Sequence, residues 1–177
     1  MEENRLMSQE RKYPEWMGKM RGLNSSEIKE FLDGPIVARI ATIDSKGDPY
    51  ITPVWQEWDG EAMWVIPRAK TIFAQHLMRN PNCSVSCAMD VSPYTRVLFR
   101  GSADIVEGPA LMHGEWLEIG RRMSTRYLGE RGPEYLEPSR VRPRYLVKIT
   151  PEKTISWEGV EWAAKYLDDP DAPAAPH

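Results

Sequence analysis

Between Ile36 and Ile66 the chain holds three extended runs joined by two tight turns, with no room for a helix between them. Ile36–Ile43 is apolar and rich in branched residues, and Tyr50–Trp58 and Ala62–Ile66 follow it. The turns are Asp44-Ser45-Lys46-Gly47-Asp48 and Asp59-Gly60. Asp-Gly between two strand-like runs is a strong hairpin signal, because glycine supplies the positive φ that two-residue turns require. The three runs are therefore expected to lie in meander order.

Upstream, Ser25 or Ser26 is placed to cap a short helix, Glu27–Leu32, that stops at Gly34-Pro35. Downstream, Thr71–Arg79 predicts a helix with Ile72, Phe73, His76 and Leu77 on one face, ended by Asn80-Pro81. Cys83–Met89 and Val97–Glu107 predict strands, and Gly101 inside the second marks a bend or bulge. A long helix is expected over about Pro109–Leu128, with Met112, Trp116, Ile119, Met123 and Tyr127 as its core stripe. A loop rich in glycine, proline and arginine follows over 129–143, and Tyr145–Thr150 and Thr154–Trp157 form the last strand or strands. These elements do not alternate as β-α-β units, and no Gly-x-Gly-x-x-Gly follows a strand. The expectation is a mainly β fold, an antiparallel barrel of six to seven strands with helices packed outside it. Residues 1–22 read as an arm, 23–167 as one domain, and 168–177 as a disordered tail rich in proline and alanine.

Composition removes whole classes of function. The 177 residues suit one core, and 41% hydrophobic with 28% charged residues is ordinary for a globular chain. A net charge of -3 lacks the basic surplus of a general nucleic-acid binder, yet leaves room for a local basic pocket. No run approaches the roughly 18 apolar residues that span a membrane, and Met1–Arg21 lacks the apolar stretch of a secretory leader. The expected compartment is the cytoplasm, with no membrane and no nucleic acid as partner. Cys83 and Cys87 fall on one face of a strand, too far apart along it for a good disulfide, and read as small buried hydrophobes. His76, His113 and His177 show no ligand spacing, so no metal is expected.

The chemistry concentrates in two segments. In Trp64-Val-Ile-Pro-Arg-Ala-Lys-Thr71 a strand ends at Pro67, and Arg68, Ala69, Lys70 and Thr71 lead into a helix. Helix N-termini carry unpaired N–H groups and partial positive charge, so two cations and a hydroxyl there suit a phosphate. A solvated turn with surface cations would read the same. In Thr52-Pro53-Val54-Trp55-Gln56 a proline interrupts a strand, which either exposes backbone groups to a flat heterocycle or marks an edge strand. Trp55, Trp58, Trp64, Tyr94 and Trp157 supply flat faces for a ring, or packing for a core or a subunit contact. No Gly-x-Ser-x-Gly elbow and no His-Glu-x-x-His appears, so catalysis here would rest on a cofactor.

Ile40-Ala-Thr-Ile-Asp-Ser-Lys-Gly-Asp-Pro-Tyr-Ile-Thr-Pro-Val-Trp55, Asp59-Gly60, Pro67-Arg-Ala-Lys-Thr71, Asn80-Pro81, Val97-Leu-Phe-Arg-Gly-Ser-Ala103 and Ser156-Trp157 stand in an order that resembles the pyridoxamine 5'-phosphate oxidase-like, FMN-binding split-barrel superfamily. The resemblance runs from about Ser25 to Trp157. It implies a homodimeric split barrel of Greek-key type with a flavin in each groove between subunits, and an oxidoreductase acting on a small molecule. By that resemblance Arg68, Ala69, Lys70 and Thr71 hold the cofactor's phosphate, and Thr52, Pro53, Val54 and Trp55 line its ring. Tyr94, Arg96 and Trp157 of a second subunit close the groove. Arg126-Tyr-Leu-Gly-Glu130 is similar to a branch using the deazaflavin F420, so the cofactor is FMN or, alternatively, F420. Trp157 is followed by Glu158-Gly159-Val160, not by the oxidase's Arg-Leu arrangement, which speaks against pyridoxamine phosphate as substrate. A carrier of flavin or haem without turnover is the competing reading, with His76 or His113 as haem ligands.

Overall fold

A computed structural model of the chain describes residues 21–159. The tail, and the arm apart from its last two residues, lie outside the described residues. Seven strands form one antiparallel sheet: β1 (Ala38–Ile43), β2 (Pro49–Val54), β3 (Glu57–Trp58), β4 (Met63–Val65), β5 (Asn82–Ala88), β6 (Arg96–Ala110) and β7 (Arg144–Trp157). The helices are α1 (Ser25–Asp33), α2 (Ile72–Arg79), α3 (Gly114–Leu128) and the five-residue α4 (Gly132–Leu136). Across the sheet the order is β2-β1-β5-β6-β7-β4-β3. Its two outermost strands, β2 and β3, are separated in the chain only by Trp55 and Gln56. The sheet therefore has to curl until its edges meet, and the result is a half-barrel.

Period-two alternation fills this barrel. Ala38, Ile40, Val85, Cys87, Val97, Phe99, Val147 and Ile149 point inward, and Leu32 of α1 with Phe73 and Leu77 of α2 plug the ends. A second core lies outside the sheet, where Trp116, Ile119 and Met123 of α3 pack with Leu136 and Leu146. Cys83 and Cys87 are free and buried, as small hydrophobes are.

Several boundaries differ from the sequence reading, each for a local reason. The Tyr50–Trp58 run is broken after Val54, because Gln56 turns fully inward and its Nε2 donates to the Leu32 carbonyl at 2.8 Å. Helix α1 starts earlier than expected and is capped by Asn24, not by a serine, in a reciprocal box with Glu27. Pro109 does not open α3. It lies in β6, which continues to Ala110 through bulges opposite the start of β7. Gly108 there has φ 109° and leaves no room for a Cβ beside the Arg144 carbonyl. The Gly101 bulge is present, and a Cβ there would fall 2.0 Å from the Thr150 carbonyl oxygen. The 129–143 loop is folded into α4 between two 3₁₀ turns, 129–131 and 137–139. Among the described residues no helix is long and apolar enough to cross a membrane, and no three His, Cys, Asp or Glu side chains gather as metal ligands do.

Candidate functional site

Where β2 and β4 end, α3 and α4 cover the barrel mouth and leave a cavity of about 370 Å³. That falls at the lower end of the range usual for small-molecule sites. Val54 and Trp55 form one wall, Met112, Gly120 and Met123 the roof, Tyr135 and Leu136 the outer side, and Arg68, Thr71 and Arg144 the basic end. Gly120 keeps the roof open, since it presents no side chain toward Met112, Leu136 and Ile66.

Four of the residues singled out in the sequence thus line the cavity: Val54, Trp55, Arg68 and Thr71. Thr52 is half-buried two positions before Val54 on the same face of β2, whereas Pro53 points outward on what the topology makes an edge strand. Ala69 is held by its N–H, which donates to the Pro143 carbonyl at 3.0 Å, and Lys70 is exposed beside it. Thr71 occupies the N-cap of α2 but makes no side-chain cap; its hydroxyl donates instead to the Arg68 carbonyl at 2.9 Å. The first-turn N–H groups of α2 receive no help from it.

Tyr94, Arg96 and Trp157 make a separate group. The Arg96 guanidinium lies 5.5 Å from the centre of each of the two rings. Tyr94 adopts φ 57°, a left-handed conformation uncommon for a bulky residue. Trp157 and Arg144 are the two ends of β7, separated by roughly 40 Å of extended strand. Within one chain this group does not reach the cavity.

The ring wall is fastened by Tyr127 of the expected core stripe, by Arg126 of the Arg126–Glu130 segment, and by Arg122 and Glu57, which sequence reading did not single out. Trp55 stacks on Tyr127 of α3 with ring centres 5.0 Å apart and planes within 3°. The Tyr127 hydroxyl donates to the Ile36 carbonyl at 2.7 Å and accepts the Gln56 N–H at 3.2 Å; burial raises its pKa. Arg126 donates to the Gln56 carbonyl at 2.9 Å and pairs with buried Glu57 at 2.7 Å, while Arg122 holds the other Glu57 oxygen at 2.8 Å. The link that closes the barrel is thereby also the wall of the cavity. Met112 and Met123 of the stripe face the cavity as well as the core.

Arg144 was not legible as a site residue. Its register opposite Arg68 brings two guanidinium-bearing positions together at the basic end. Its Nη1 donates to the Ile66 carbonyl at 3.3 Å and its Nη2 to Ser139 Oγ at 3.1 Å, but its Nε is buried without a partner. Burial, and then the positive charge of Arg68, lowers its pKa. The result is a mainly apolar slot with an aromatic wall and a basic end.

The family model described as pyridoxamine 5'-phosphate oxidase matches residues 25–158. The chain belongs to the pyridoxamine 5'-phosphate oxidase-like split-barrel family. Among solved structures it is similar to the conserved hypothetical protein Rv2991 from Mycobacterium tuberculosis, at 27% identity and TM-score 0.63 over 77% of this chain and 85% of that one. The haem storage protein HutZ from Vibrio cholerae matches at 23% identity and TM-score 0.59, over 77% of this chain and 97% of that one. An F420 reductase matches at 19% identity and TM-score 0.54, over 71% and 94%. No curated protein gives a significant match. At the lower identities the likeness is one of fold, the curled split-barrel sheet described above.

Proposed function

We propose that this split-barrel protein is an oxidoreductase that binds FMN or F420 and passes hydride between the cofactor ring and a small molecule. The observation that carries the reading is the cavity itself, with a Trp55 wall at one side and the uncapped α2 N-terminus, Arg68 and Arg144 at its basic end. The residues fit such a group. Arg144 Nε lacks a protein partner, and the first-turn N–H groups of α2, which Thr71 does not cap, stand where phosphoryl oxygens accept hydrogen bonds. Arg68, Lys70 and Thr71 hold the phosphate, and Thr52, Val54 and Trp55 orient the ring. Met112, Met123 and Leu136 exclude water from it, which strengthens every polar contact inside. The bound cofactor supplies the two-electron chemistry that no side chain of this chain offers.

The protein works as a homodimer in this reading. Tyr94, Arg96 and Trp157 lie outside the lining of this chain's own cavity, and that supports it, because they are left to close a groove on a second copy. Haem is less well served. His76 is buried, sharing a 3.0 Å hydrogen bond with Thr42, and His113 pairs with Glu107; neither lines the cavity.

Equilibrium titration of the full chain with FMN and with F420, followed by the absorption spectrum of each complex, tests the proposal. Binding of one of them, lost on replacing Arg68 and Lys70 together with alanine, is the expected result. Unchanged affinity in that variant, a Soret band in place of a flavin spectrum, or a monomer by light scattering at working concentration each contradicts it.

A further inference from the structure

We infer that Arg144, together with Arg68, forms a two-arginine seat for the phosphoryl group of the cavity's ligand, with Arg144 reading that group from the floor of the pocket. The inference deepens the ring-and-phosphate reading above and rests on it. Three observations carry it. First, Arg144 lines the cavity, and its Nε is buried with no hydrogen-bond partner. A buried guanidinium N–H left unmade costs free energy unless a ligand satisfies it. Second, one N–H on each terminal nitrogen is already used to aim the fork: Nη1 donates to the Ile66 carbonyl and Nη2 to Ser139 Oγ. The side chain is therefore fixed before any ligand arrives. Third, the corner contains no acid. Arg68, Lys70 and Arg144 make no ion pair among the described residues; Arg144 faces the positive charges of Arg68 and Arg142, which only the weakly acidic phenol of Tyr135 opposes. In a chain with more acidic than basic residues, a half-buried arginine facing another arginine calls for an external anion.

A guanidinium binds a phosphoryl group in a directed way that a lysine ammonium does not reproduce. The effect of Arg144 should thus appear only for ligands that carry phosphate. The test compares matched pairs: FMN against riboflavin, and F420 against its deazaflavin chromophore stripped of the phosphodiester tail. Each is titrated into wild type, R144M and R144K, with folding checked by circular dichroism. In R144M the advantage of the phosphorylated ligand over its bare ring should fall by about 10-fold or more, with affinity for the bare ring retained. R144K, which keeps the charge without the fork, should lose part of that advantage and serves if R144M does not fold. An advantage within twofold of wild type in both variants overturns the inference. Which pair shows the effect tells an FMN-type from an F420-type tail. If wild type binds neither pair, the proposed function falls, and inorganic phosphate decides the seat alone. Thermal stabilisation of wild type by phosphate at matched ionic strength, weaker in R144K, supports it; equal response in both overturns it.

Discussion

Replacing Gly120 with alanine should make the protein more stable and the cavity less useful. Gly120 is buried in the middle of α3, where glycine costs about 1 kcal/mol relative to alanine through lost backbone freedom. A Cβ there would meet Met112 Sδ at 3.4 Å, Leu136 Cδ2 at 3.5 Å and Ile66 Cδ1 at 3.7 Å. These are ordinary contacts, so the methyl enters without strain and adds up to about 0.8 kcal/mol of apolar burial. The sum is about 1–2 kcal/mol, or roughly 2–8 °C in Tm for a domain of this size. Thermal unfolding of the ligand-free protein, followed by circular dichroism, measures it. G120L, which carries a branched side chain into the same space, should in turn abolish FMN or F420 binding. A Tm for G120A at or below wild type would refute the packing argument. Unimpaired ligand binding in G120L would refute the assignment of this cavity as the ligand site.

Three further outcomes are expected. Gly132→Ala should destabilise by at least about 2 kcal/mol in urea titration, because a Cβ would fall 2.1 Å from the Ser124 carbonyl oxygen, on backbone that has nowhere to go. Burial pushes Asp59 up, but N–H groups of Ala62, Trp64 and Glu61, with Lys148, outweigh it and hold its pKa below the ordinary 3.8. Its contribution to stability is present above that value and is lost as pH falls through the depressed pKa; D59N should flatten this part of the acid limb of a stability-against-pH curve. Burial pushes the Cys83 thiol up to about 11 and Cys87 up to about 12, so a thiol reagent at neutral pH should label neither in the native protein and both in denaturant.

The strands were legible because their signals are local: branched runs, Asp59-Gly60, and the glycine that β6 needs against the Thr150 carbonyl. The Arg68–Thr71 turn was legible for the same reason, since cations, hydroxyl and helix start are neighbours in the chain. What escaped depends on distant pairing. Arg144 joins Arg68 only through the register of β7 against the β4–α2 turn, and nothing around Pro143-Arg144 announces it. Pro109 was misread because proline at a helix start and proline in a bulged strand end look alike until Gly108 is seen against Arg144. The Met112–Tyr127 periodicity showed correctly that α3 has a buried face, but period alone does not distinguish a face against a core from one roofing a cavity.

The fastening of α3 decides which side of the cavity can yield. Parting α3 from the barrel would strip Glu57 of two arginines, release Gln56 at both its N–H and its carbonyl, and unstack Trp55. Tyr135 on the short α4 is 58% exposed and meets Trp55 only at a tilt, 5.9 Å between ring centres. The side beneath Tyr135 is therefore the cheaper one to open, and a ligand of this cavity would pass there while the seam of the barrel stays shut.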